Sequence, residues 1–264
     1  MQKQYRLGIP SFITVETEDG SWIGEKDAQK TEKDDVVVTY ETTPEAEEVW
    51  LTADQTKVKT IKLRWNTPVD KKSRILGGSW ERTYGDVDWK GVSGSRFMPW
   101  YFLAAVGETV TGYGVKVRPS AMCFWQADTR GITLVMDVRC GGTGVQLSGR
   151  KLRAAQIVAM QTEGMGTFES AREFCKVMCT DPILPDYPVY GSNNWYYAYG
   201  DSSEEEILQD TDYIVELTKG VDNPPYMVID GCWQEHHRLN EPYFSVALST
   251  MVVHGKREIK NSLI

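Results

Sequence analysis

Gly112-Tyr113-Gly114-Val115-Lys116-Val117 sets an apolar side chain at every second residue, the pattern of a strand with one buried face. Lys57-Val58-Lys59-Thr60-Ile61-Lys62-Leu63 reads the same way. Val36-Val37-Val38-Thr39-Tyr40 and Ile132-Thr133-Leu134-Val135-Met136-Asp137-Val138 are short runs of strand composition. Glu18-Asp19-Gly20 and Gly141-Gly142-Thr143-Gly144 mark turns between such runs. Many strands with few helical stretches predict a β-sandwich over residues 1–166.

With 264 residues, 41% of them hydrophobic and 25% charged, the chain can build a sizeable core and is neither disordered nor fibrous. A net charge of −8 repels a phosphate backbone, so nucleic acid is not an expected partner. No apolar run approaches the roughly 20 residues that a membrane helix needs, so no membrane is expected either. The start, MQKQYRLGIPSF, lacks the apolar stretch of a secretion signal. The expectation is therefore a cytoplasmic protein, or a periplasmic or secreted one if the start was trimmed. Nine Trp and thirteen Tyr are an unusual load. Their flat apolar faces and polar edges suit core packing and also suit sugar rings. Five scattered cysteines argue against a disulfide framework and read as buried thiols. Cys175 and Cys179 stand at helical spacing, but no second ligand pair accompanies them, and no metal or cofactor is expected.

After Gly166 the pattern changes. Phe168, Ala171, Phe174, Cys175 and Met178 form an apolar stripe at helical spacing, and three prolines within Asp181–Pro188 then forbid helix and central strand. Residues 167–188 are read as a connecting helix and linker. Val189 to Trp195 reads as a strand, and Ser202 or Ser203 with Glu205 or Glu206 offers a capping box. Ile207, Leu208, Thr211, Ile214, Val215 and Leu217 line a helix that stops at Gly220. Tyr226-Met227-Val228-Ile229 is a continuous apolar run, as in a parallel strand covered on both sides. Residues 189–264 are thus expected to hold the first two βα units of an incomplete (β/α)8 barrel. In parallel α/β folds functional side chains gather at the carboxyl ends of strands. That rule brings Asn193, Asn194, Trp195 and Asp230 to one mouth. A carboxylate, two amides and indoles there bind vicinal hydroxyls while a ring stacks on an aromatic plane; capping by Asp230 and rim packing by Trp233 is the plainer alternative.

Tyr190-Gly191-Ser192-Asn193-Asn194-Trp195-Tyr196-Tyr197-Ala198-Tyr199-Gly200, an acidic helix, then Met227-Val228-Ile229-Asp230-Gly231-Cys232-Trp233-Gln234 resembles the opening of the catalytic barrel in α-galactosidase-like glycoside hydrolases, the melibiase and family 36 relatives. The match covers residues 189–241. The resemblance implies an N-terminal sandwich before a barrel, and carbohydrate metabolism: cleavage of a terminal α-linked sugar with retention, through a covalent intermediate. It also implies substrate binding by Asp230, Trp233, Asn193, Asn194 and Trp195. Where the family shows Asp-Asp-Gly-Trp, this chain has Asp230, Gly231, Cys232 and Trp233, so one sugar-binding carboxylate is absent and strict galactose selectivity is in doubt. Sandwich loops lean over the mouth in such enzymes, which nominates Asp88 and Trp89; packing at the interface of the two parts is the alternative for both.

The family's nucleophile and acid/base are aspartates on later barrel strands. A barrel takes about 250 residues, and Val189–Ile264 is too short for one. Glu235 and Glu241 are read as solvated loop groups rather than substitutes, and His236-His237 as solvated or hydrogen-bonding histidines rather than a metal pair. From Phe244 the tail departs from the family, and the region from Ser249 onward is open to a reading in a shifted frame. The expectation is a truncated, catalytically silent glycosidase fragment with no catalytic residue assigned, able to self-associate through exposed barrel edges. The competing expectation is a non-catalytic carbohydrate-binding β-sandwich protein.

Overall fold

The computed structural model describes residues 2–77, 88–139, 142–199 and 203–230. The chain divides into two compact units, Met1–Pro182 and Ile183–Ile264.

The strands of the first unit begin with β1 (Gln2–Tyr5), β2 (Phe12–Thr17), β3 (Ser21–Ile23), β4 (Lys30–Lys33) and β5 (Val36–Thr42). Next come β6 (Glu47–Ala53), β7 (Val58–Trp65), β8 (Arg74–Gly77), β9 (Lys90–Gly91) and β10 (Met98–Pro99). β11 (Tyr101–Val106), β12 (Thr109–Val115), β13 (Met122–Asp128), β14 (Gly131–Asp137) and β15 (Leu152–Glu163) complete it, followed by helix α1 (Thr167–Met178). They form two antiparallel sheets. One has the order β4-β5-β6-β15-β12-β11-β8-β9 with β1 also on β15, and the other β10-β13-β14-β7-β2-β3.

Alternation explains the layering. β6 runs buried and half-buried by turns, so Val49, Leu51 and Ala53 face inward while Glu48, Trp50 and Thr52 face out. Residues from the inner faces of both sheets, among them Leu51, Phe102, Leu63 and Leu134, form one shared core. At its centre Trp65 stacks on Trp125 with ring centroids 6.1 Å apart, and Phe102 stacks on Tyr113 at 4.8 Å.

The outer face of the larger sheet is not left to water. α1 lies across β12 and β15, and Phe174 is fully buried there with Leu103, Val110 and Met160. Gly112 and Gly114 make the seat: a Cβ on Gly112 would stand 2.7 Å from the Phe174 ring. A buried hydrogen bond of 2.7 Å between the Thr162 and Ser170 hydroxyls ties the same helix to β15.

The β13–β14 hairpin turns on Asp128. Its Oδ1 accepts from the Arg130 and Gly131 amides at 2.7 and 2.9 Å and from Arg64 Nη2 at 3.0 Å. The Arg64 hydrogen bond, ahead of the turn amides, holds the carboxyl below its usual range despite partial burial. A depressed folded pKa stabilises the fold above about pH 3.9, and that contribution is lost as pH falls through the folded value. Asp128→Asn is therefore expected to flatten the acid limb of Tm against pH, read by circular dichroism below about pH 4. An unchanged limb counts against this role.

The second unit contains β16 (Gly191–Asn193), α2 (Trp195–Ala198), α3 (Glu204–Leu217) and β17 (Tyr226–Val228). Ser203 and Glu206 close a reciprocal capping box at the start of α3. β16 and β17 are parallel, with Ser192 opposite Met227.

Among the described residues the expected start of a (β/α)8 barrel does not develop. The sheets are antiparallel apart from this one parallel pair, and the described residues contain three helices, so no βαβα alternation develops. Burial gives the physical reason. Barrel strands are covered on both faces, whereas all of β16 is exposed and β17 buries only Met227. Apolar letters at 189–190 and 226–229 mimicked a covered strand, but Val189 is 67% exposed.

Cysteine burial also needs correcting. Cys123 is buried and its thiol is pushed up to about 12, but Cys175 is exposed and Cys179 half-buried. Cys140 and Cys232 lie outside the described residues. Among the described residues no helix is long and apolar enough to cross a membrane.

Candidate functional site

Parallel pairing of β16 with β17 carries the chain to Asn193 on one strand and towards Asp230, two residues past the other. Asn193 Nδ2 donates to Asp230 Oδ2 at 2.8 Å, while Asn193 Oδ1 accepts from the Trp195 amide at 2.8 Å. Those two bonds leave the amide one orientation. Asn194 is 2% exposed, and its Oδ1 accepts from the Asp230 backbone amide at 2.9 Å. The carboxylate is thus located through its main chain by Asn194 and through its side chain by Asn193. A buried amide spent on a backbone donor is a positioning device rather than a ligand group.

Aromatic groups surround this pair in sequence. Trp195 is half-buried and meets Tyr199 edge to face at 6.0 Å. Tyr196, Tyr197 and Tyr199 are exposed. The Tyr197 hydroxyl donates to Asp210 on α3, and the Tyr190 hydroxyl to the Asn223 carbonyl. Tyr199 takes a left-handed conformation, φ 47°, and ends α2 within one turn. Chemically, the arrangement is a half-buried, pre-oriented carboxylate with flat apolar surface nearby in the chain. It suits accepting hydrogen bonds from hydroxyls of a ligand.

Of the sequence-derived residues, Asn193, Asn194 and Asp230 are brought into direct hydrogen bonding, and Trp195 joins them through its amide. Trp233 lies outside the described residues, as do Glu235, His236, His237, Glu241, the tail from Phe244 and the loop 78–87. Asp88 and Trp89 belong to the first unit. Asp88 Oδ1 accepts from the Trp89 amide at 2.7 Å, and Arg74 donates to the Trp89 carbonyl. The Trp89 indole is half-buried against the cluster that includes Leu103 and Phe174, so part of its apolar face is taken up by packing.

No protein-family model matches the chain. No curated protein matches it either. The likeness to α-galactosidase-like enzymes therefore stands on the quoted residues and their spacing.

Proposed function

We propose that this chain is of the α-galactosidase-like glycoside hydrolase type and holds a terminal α-linked sugar at the carboxyl ends of β16 and β17 without cleaving it. The observation that carries the reading is the 2.8 Å bond from Asn193 Nδ2 to Asp230 Oδ2. It joins, across 37 positions of sequence, the two motifs on which the resemblance rests. Asp230 accepts from the sugar's hydroxyls, Asn193 keeps the carboxylate turned towards them, and Trp195 offers an apolar face. Silence in catalysis follows from the chemistry: retention needs a nucleophile and an acid/base about 5 Å apart. In the resembled family both come from later parallel strands, and the described residues have one parallel pair.

Titration with methyl α-D-galactopyranoside, followed by isothermal calorimetry, tests the binding. Asp230→Asn is expected to weaken it at least tenfold, which is about 1.4 kcal/mol, while Trp89→Ala leaves it unchanged. The opposite pattern moves the sugar to the sandwich and makes this a carbohydrate-binding β protein. An aryl α-galactoside is expected to give no turnover. Rates in the ordinary enzymatic range of about 1–10³ s⁻¹ defeat the claim of silence.

A further inference from the structure

Helix α1 ends on three sulfur atoms. Cys175, Met178 and Cys179 fall within its last turn and cap, in the first unit, and the sugar reading uses none of them. In the sequence the two cysteines lack a second pair of ligands. Among the described residues no three His, Cys, Asp or Glu side chains gather as a metal site. The Met178 thioether is the donor that brings this turn to three.

The backbone fixes the turn from both sides. The Cys179 amide donates to the Cys175 carbonyl at 2.9 Å, which closes one helical turn between the two thiols. The Val117 amide donates to the Met178 carbonyl at 3.1 Å, which ties the same turn to the chain leaving β12. Below it, the Met178 sulfur lies over Gly114, where a Cβ would stand 2.8 Å from it. Tyr101 is opposite Gly114 in the pairing of β11 with β12. Burial, and then the charge of neighbouring Cys175, push the Tyr101 hydroxyl above its ordinary range. Met178 and Cys175 thus meet the sheet at the same pair of positions. Both thiols remain open to solvent, Cys175 exposed and Cys179 half-buried.

This spacing favours a bridging ion over a sulfur–sulfur bond. A disulfide needs Cβ atoms about 3.5–4.5 Å apart, whereas neighbours four residues apart on a helix stand about 5–6 Å from each other. An ion with a bond to each sulfur spans the wider gap. Thiolate and thioether are soft donors and select Cu(I). Structural Zn(II) sites are almost always closed by four ligands, one more than this turn supplies. Met178 suits the third place, because three rotatable bonds let its sulfur follow the ion. We propose that Cys175, Met178 and Cys179 bind one Cu(I) ion at the end of α1. The ion replaces the two thiol protons and bonds to two thiolates and the thioether, with no change of oxidation state. This site does not depend on the Asn193–Asp230 reading.

Anaerobic titration of the whole, reduced chain with tetrakis(acetonitrile)copper(I), against bicinchoninate as competing chelator, tests it. A Cys140→Ser/Cys232→Ser background removes the two cysteines outside the described residues, and Cys123 is buried. One Cu(I) per chain is expected in that background. Cys175→Ser and Cys179→Ser should each weaken binding at least a hundredfold, and Met178→Leu at least tenfold. Cys175→Ser changes an exposed side chain and decides if another variant does not fold. X-ray absorption at the copper edge is expected to show three sulfur neighbours, and two in Met178→Leu. No uptake against the chelator overturns the proposal, as does uptake unchanged in Cys175→Ser. Two-sulfur coordination in the parent overturns the three-donor site, and displacement of the bound ion by equimolar Zn(II) overturns the choice of Cu(I).

Discussion

Trp125→Ala is expected to lower the unfolding free energy of the two-sheet unit by about 3–5 kcal/mol. Trp125 is fully buried between the sheets. Its ring stacks on Trp65 at 6.1 Å and meets Phe102 edge-on at 5.9 Å, with Tyr113 tilted at 6.5 Å. Removing it opens a cavity that three large neighbours on both sheets cannot fill by small movements. The indole also has a second task. β10 belongs to the smaller sheet and β11 to the larger, so the chain changes sheets at Trp100. That residue sits at φ 68°, a left-handed conformation that costs energy for any side chain but glycine. Trp125 Nε1 donates to the Trp100 carbonyl at 3.1 Å, beside the Val115 amide at 3.1 Å, and the Trp100 amide donates to Cys123 at 3.0 Å. Alanine therefore loosens the corner as well as the core. Urea unfolding followed by near-ultraviolet circular dichroism measures the change, with an unaltered m-value showing that the transition kept its extent. Trp125→Phe separates the two tasks: it keeps most of the ring, loses the N–H bond, and is expected to cost about 0.5–1.5 kcal/mol. A loss below about 1 kcal/mol for alanine contradicts the account, because full burial of a large aromatic does not come so cheaply.

The first unit was largely legible because period-two alternation is a local signal. Lys57–Leu63 lies almost wholly within β7, and Gly112–Val115 within β12. What alternation alone does not reveal is the second face. Gly112 and Gly114 look like solvent-side positions in the quoted stretch, yet β12 is buried on both sides from Val110 onward because α1 lies across it. The helical stripe of Phe168, Ala171, Phe174 and Met178 was visible, but which sheet it covers is a tertiary fact. Even the stripe was read too broadly: Phe174 is fully buried whereas Phe168 is 73% exposed.

In the second unit the local signals were met in part and their sum was not: the strand expected over Val189–Trp195 covers only Gly191–Asn193, and Val215 and Leu217 of the helical stripe are exposed. The capping box, α3 and the parallel run of β16 beside β17 are all short-range or one-step features. A barrel is a long-range claim, and two apolar stretches with a helix between them cannot make it. Asn193, Asn194 and Asp230 are brought into hydrogen bonding because that needs only the single parallel pair: register opposite Val228 sets Asn193 beside the end of β17. Trp89 shows the other limit, since an aromatic in a loop-like stretch carries no mark of whether packing will claim its face. Glu47 was missed although its signal was present. Glu47-Glu48-Val49-Trp50-Leu51-Thr52-Ala53 alternates, and the first glutamate shares its phase with Val49, Leu51 and Ala53. A charged residue in phase with the core marks a buried polar group from letters alone.

Gly191→Ala is expected to abolish sugar binding at the strand ends while sparing the two-sheet unit. Gly191 opens β16 and lies opposite Tyr226. A Cβ there would stand 1.8 Å from the Tyr226 carbonyl oxygen and 2.7 Å from its nitrogen and carbonyl carbon. Those are main-chain atoms of the partner strand, so no rotamer change relieves the clash, and the strands must part. Three residues of parallel pairing cannot absorb such a displacement at one end and keep register at the other. The Asn193–Asp230 bond and the bond from the Asp230 amide to Asn194 Oδ1 both depend on that pairing, because Asn193 ends β16 and Asn194 follows it directly, so both are expected to go when the strands part. The expected readout is calorimetric titration with methyl α-D-galactopyranoside at or below detection, against an unchanged near-ultraviolet spectrum from the buried Trp65 and Trp125. Ser192→Ala is the control: it removes an exposed hydroxyl one residue along the same strand and should bind as the parent does. Wild-type affinity in Gly191→Ala shows that the strand pair does not organise the site, and the assignment of Asp230 to a sugar falls with it.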